Sequence, residues 1–163
     1  MQRQPTLLSS CARAATAAEA GYRISVPEFT RRSSRVIALD EQAAAVVRRM
    51  AGQRWGGGHF LVFESAVPDD ALLRLAAGGT ALLSEELDGA DAVVMVATAS
   101  ANAEAASIIG NACAARGIMS AGLVVPAPGP VGEVVTALRP NAMVLVVLRD
   151  AADIPEVLSA LRV

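Results

Sequence analysis

From residue 36 onward, short apolar runs alternate with stretches in which apolar residues recur every three or four positions. "RVIAL" predicts a short buried strand, and "DEQAAAVVRRMA" after it a helix with Ala43, Val46, Val47 and Met50 on one face. Gly52 and the run Gly56-Gly57-Gly58 close that helix, and "HFLVFE" predicts a second strand. Pro68, Asp69 and Asp70 read as a helix start, so "DDALLRLA" is expected to be helical as far as Gly78-Gly79. "ALLSEELDGAD" follows as a short helix or turn leading to a third strand, "AVVMVA", at 92–97. A helix over 101–115 is expected to bury Ala105, Ile108, Ile109, Ala112 and Cys113 and to stop at Gly117. "IMSAGLVV" is a fourth strand, "PAPGP" breaks the pattern, "VGEVVTALRP" predicts a short helix and "AMVLVVL" a fifth strand. "DIPEVLSALRV" closes the chain as a helix, with Asp153 as N-cap and Pro155 in its first turn.

Strands joined by helices imply right-handed crossovers and a mostly parallel sheet between two helical layers. The expected fold is α/β, a single three-layer (α/β/α) Rossmann-like domain over 34–163, preceded by a flexible or partner-bound arm over 1–33. Aromatic residues are scarce, at 3%, while Ala, Val and Leu dominate, which suits helices on a buried parallel sheet better than a β-sandwich. Hydrophobic residues make up 53% of the 163 and charged ones 18%. That excess over the available surface predicts a homo-oligomer or a protein partner.

All 14 basic residues are arginine, which excludes a Schiff-base lysine, a phosphate-loop lysine and a lysine general base. A net charge of −2 argues against a nucleic-acid partner. Six of the arginines fall within residues 1–35, opposed there by Glu19 and Glu28, yet this start lacks the continuous apolar stretch of a secretory signal. No run approaches ~18 uninterrupted apolar residues, so no membrane span is expected. Cys11 and Cys113 form neither a disulfide framework nor a metal pattern, and a cytoplasmic location is the expectation. His59 is the sole histidine, which leaves no histidine pair for zinc, and no G-x-S-x-G elbow is present.

"VIALDEQAAAVVRRM", "HFLVFESAVPDDALL" and "GADAVVMVATASANAEAASIIGNACAARGIMSAGLVV" together resemble the nucleotide-binding half of the tubulin-like proteins, bacterial FtsZ above all, through roughly residues 35–127. "GAD" before the third strand and "RGI" before the fourth are the closest local matches. The resemblance implies a bacterial nucleotide-binding scaffold, but the chain departs from the family where phosphates would sit. Asp40 and Glu41 replace the glycines after the first strand, and Thr98 to Glu104 replaces a glycine-rich loop. Carboxylates within ~5 Å of a phosphate would each repel it by ~1 kcal/mol or more, and β-carbons narrow the turn. The expectation is a degenerate nucleotide site, no GTP hydrolysis, and an accessory or regulatory role. No cofactor is assigned.

Six residues are candidate ligand contacts: Asp40, Glu41, Glu64, Thr98, Ser100 and Asn102. Asp40, Glu41 and Glu64 fall at the carboxyl ends of the first two strands, the edge where open α/β sheets bind ligands. They could hold Mg²⁺ or an amine, or bond ribose hydroxyls; alternatively Asp40 and Glu41 cap and charge the first helix. Thr98, Ser100 and Asn102 precede a helix and either cap it or bind a small anion there, as do the Ser/Thr loops of sugar-isomerase-type (SIS) domains, which "DAVVMVATASANAEAASII" resembles. On that alternative the chain is a small-ligand binder or an enzyme acting on a nucleotide or sugar phosphate. No catalytic residue and no metal-ligand set is assigned. Cys113 is read as core, Trp55 as a lid or as ordinary packing, and "PAPGP" as the border of a cleft or a rigid connector.

Overall fold

The computed structural model describes residues 32–163. Nearly all of the expected arm, Cys11 included, therefore lies outside the described residues. In chain order the elements are β1 (Ser34–Ala38), α1 (Glu41–Ala51), β2 (Gly58–Val67), β3 (Asp70–Leu75), β4 (Thr80–Leu82), α2 (Leu83–Leu87), β5 (Ala92–Ala97), α3 (Ala103–Arg116), β6 (Met119–Val124), α4 (Gly132–Leu138) and β7 (Val144–Val147). A 3₁₀ turn (Ala151–Asp153) then leads into α5 (Ile154–Ala160).

The strands form one sheet of seven, in the order β4-β3-β2-β1-β5-β6-β7. β2, β1, β5, β6 and β7 are mutually parallel, with Val36 opposite Phe60 on one side and Val94 on the other. Numbered among themselves, these five lie 2-1-3-4-5, a doubly wound order that reverses direction between β1 and β5. Alternation along the strands feeds two cores. Ile37, Met95 and Val124 pack towards α2, α3 and α4, meeting Leu87, Ile109, Cys113 and Leu138. Val36, Val94 and Leu123 pack towards α1 and α5, meeting Val47, Met50, Ile154 and Leu158. The protein is thus an α/β, three-layer Rossmann-like domain with a mostly parallel sheet.

Residues 70–75, expected to be helical, form strand β3 instead. β3 pairs antiparallel with β2, Val67 opposite Asp70, and carries β4 on its other edge. The signals of a helix start serve here as a two-residue hairpin turn: Pro68 fixes its own φ, and Asp69 takes the left-handed value of 60°. Ala71 and Leu73 are buried while Leu72 and Arg74 face the other way, the period of two that a strand requires. Gly78 and Gly79, with φ of 103° and 93°, make the next turn rather than a helix end.

Two smaller expectations also change. Ile108 and Ala112 on α3 are half-buried rather than core, because the buried stripe runs through Ala105, Ala106, Ile109 and Cys113. Asp153 precedes α5 without a side-chain cap; the capping carboxylate is that of Asp150, which accepts from the Ala152 amide at 2.9 Å and starts the 3₁₀ turn. Gly117 does end α3, with φ of 67°. Among the described residues no helix is long and apolar enough to cross a membrane.

Candidate functional site at the carboxyl edge of the sheet

The chain leaves β1 at Leu39 and β5 at Ala97, side by side at the reversal of strand order, where open α/β sheets form a crevice. The Leu39 amide still donates to the Val96 carbonyl at 2.9 Å, so the sheet holds the two exits together. Asp40 is the N-cap of α1, in extended backbone, and its Oδ1 accepts from the Ala43 amide at 2.8 Å. The same oxygen accepts from Thr98 Oγ1 at 2.9 Å, and Oδ2 accepts from the Thr98 amide at 2.8 Å. Thr98 is 1% exposed, and its Oγ1 in turn accepts from the Ser100 amide at 3.3 Å. A relay therefore runs from Ser100 through Thr98 into Asp40. The carboxylate occupies the position at a helix start that an anion would take.

The six candidate residues separate into distinct groups. Asp40 and Thr98 bond each other. Asn102 is the N-cap of α3, its Oδ1 accepting from the Glu104 amide at 2.9 Å, while Ser100 is exposed beside it. Glu41 and Glu64 turn towards arginines instead. Glu41 pairs with Arg48 at 2.9 Å, and Arg74 lies 3.7 Å from Glu41 and 3.9 Å from Glu64. These pairs are exposed, and only Glu41 with Arg48 is at hydrogen-bond distance, so they balance charge and hold little stability. Arg74 escapes a sequence reading that takes residues 69–76 as a helix; on a strand, its alternation with Leu73 and Leu75 places it over α1. The three carboxylates do not converge, and among the described residues no group of three His, Cys, Asp or Glu side chains is placed to hold a metal ion.

"PAPGP" lies close to this edge. Gly129 adopts φ of 118°, and a β-carbon on it would come 3.3 Å from that of Ala99, so the connector approaches the turn after β5. Trp55 donates its indole N–H to the Met50 carbonyl at 2.7 Å and tilts against Phe60 with ring centres 5.9 Å apart, which makes it packing at the end of α1. Cys113 is fully buried, and desolvation pushes its thiol up to about 11 against a smaller opposing pull from Arg116. It is a core side chain with little thiolate at neutral pH.

At the opposite end of β1 the structure holds a group with no signal in sequence spacing. Arg35, 5% exposed, donates from Nε to the Glu86 carbonyl oxygen at 2.7 Å and lies 3.0 Å from the Glu86 carboxylate, while its Nη1 donates to Ser33 Oγ at 2.9 Å. His59 Nδ1 is 3.0 Å from the same Glu86 carboxylate. Comparison of the chain with protein-family models, with curated proteins and with solved structures finds no match.

Proposed function

We propose that this chain is a non-catalytic accessory or regulatory subunit, built on a nucleotide-binding scaffold of the tubulin and FtsZ kind, whose phosphate seat is filled by its own carboxylate. The observation that carries the reading is the triple hydrogen bonding of Asp40 to Ala43 and Thr98. A phosphate entering between the turns at 39–42 and 98–102 would have to displace an anion already bonded to buried donors. Evicting Asp40 would strand the Thr98 amide and hydroxyl, at a cost of about 1–3 kcal/mol for each group left unpaired. Self-association and a cytoplasmic location belong to the same proposal. Self-association draws support from the apolar composition and from an exposed apolar edge strand.

Thermal unfolding of the full chain with GTP, GDP, ATP, NAD and sugar phosphates, each with and without Mg²⁺, tests the reading. A melting temperature that does not move with any of them is the expected result. Stabilisation that grows with nucleotide concentration would overturn it.

A further inference from the structure

An open hollow of about 430 Å³ lies between the β2–β3 hairpin, the start of α2 and one stripe of α3, and none of the six candidate residues lines it. Its size falls in the range of small-molecule sites. Val67 on the hairpin and Ile108 on α3 supply aliphatic lining. The polar groups are divided by element: Asp69 and Asp70 belong to the hairpin, Asn111 and Arg116 to α3.

Asp70 is held in place. Its Oδ1 accepts from the Ala71 amide at 2.8 Å and the Ser84 amide at 3.1 Å, and its Oδ2 accepts from Ser84 Oγ at 2.5 Å. Ser84 has thus committed its proton and offers only lone pairs to the hollow. Asp69 has no partner among the described residues. On α3, Arg116 spends one N–H on its own helix, donating to the Ala112 carbonyl at 3.2 Å, and its remaining hydrogen-bond donors are uncommitted among the described residues. The Asn111 amide is likewise unpartnered among them.

These groups select by charge. A simple anion would gain Arg116 but face two carboxylates, and a simple amine would gain the carboxylates but leave the spare Arg116 donors unfilled. A molecule with an ammonium and a carboxylate on one carbon satisfies both sets of polar groups, and a short aliphatic side chain suits Val67 and Ile108. We propose that this hollow binds a free aliphatic α-amino acid, its carboxylate on Arg116 and Asn111, its ammonium on Asp69 and Asp70, and its side chain against Val67 and Ile108. The site shares no residue with the turns at 39–42 and 98–102 and gives a regulatory subunit something to sense.

Leucine is the probe, with isoamylamine, which lacks its carboxylate, and isocaproate, which lacks its amine, as controls. Titration calorimetry on the full chain should give saturable heat with leucine and none with either control. Arg116→Gln should weaken leucine binding about tenfold or more. Asp69→Asn should do the same, in a residue type that accepts the left-handed backbone at that position. Absence of leucine binding, binding of either control as tight as leucine, or unchanged affinity in both variants would each overturn the proposal. A nucleotide response in the thermal experiment above leaves this result unaffected, so the two readings fail independently.

Discussion

Asp70 keeps its charge inside a ring of donors. Burial raises its pKa, but the Ser84 hydroxyl, the Ala71 and Ser84 amides and the charge of Arg116 together outweigh that and hold it below the ordinary value of 3.8. A carboxyl whose pKa is depressed by folding contributes stability above its unfolded value and loses it as pH falls through the folded one. Asp70→Asn should therefore cost about 1 kcal/mol at pH 7, and the gap to wild type should close as pH drops below about 4, in urea titrations at several pH values. At this scale the sequence was readable where partners are near neighbours: Asp40 and Asn102 cap their helices and Gly117 ends one, each through contacts within three residues or so. It was silent on Asp70 with Ser84, 14 residues on, and on Arg35 with Glu86, 51 residues on, because nothing local distinguishes those residues from solvated ones.

Elements declare themselves by period, and ambiguity arises where two structures use the same residues. The buried strands β1, β5 and β6 and the helices α1 and α3 form as expected. Residues 68–75 do not: Pro-Asp-Asp starts a helix or turns a hairpin equally well. The choice falls to β2, whose ten residues present a long edge for pairing. Asp40 works between elements as well, tying the start of α1 to the turn before α3. Asp40→Ala removes a helix cap and strands the donors of Thr98, so a loss of about 2–4 kcal/mol is expected by chemical denaturation. Asp40→Asn keeps an accepting oxygen for Ala43 but sets its amide against that of Thr98, and its loss should be smaller.

Across the whole molecule, the doubly wound core and its crossovers were legible because five parallel strands with apolar runs admit few arrangements. The antiparallel extension β3–β4 was not, nor was the inward turn of Asp40, which depends on two exits meeting in space. At the far edge of the sheet, β7 carries Val144 and Val147 at 42% and 46% exposed, with Met143 beside them at 76%. Uncovered edge strands invite pairing, and a lysine there opposes it. If two or more chains associate through this edge, Val147→Lys should lower the mass measured by light scattering to that of one chain without lowering the melting temperature of that chain. The bond from Asp40 to Thr98 spans 58 residues and joins the exits of β1 and β5. A contact so distant in sequence is expected to form after the folding barrier has been crossed. Replacing Asp40 should consequently leave the refolding limb of the chevron almost unmoved and steepen escape from the native state, so that this carboxylate sets how long the folded protein survives more than how fast it forms.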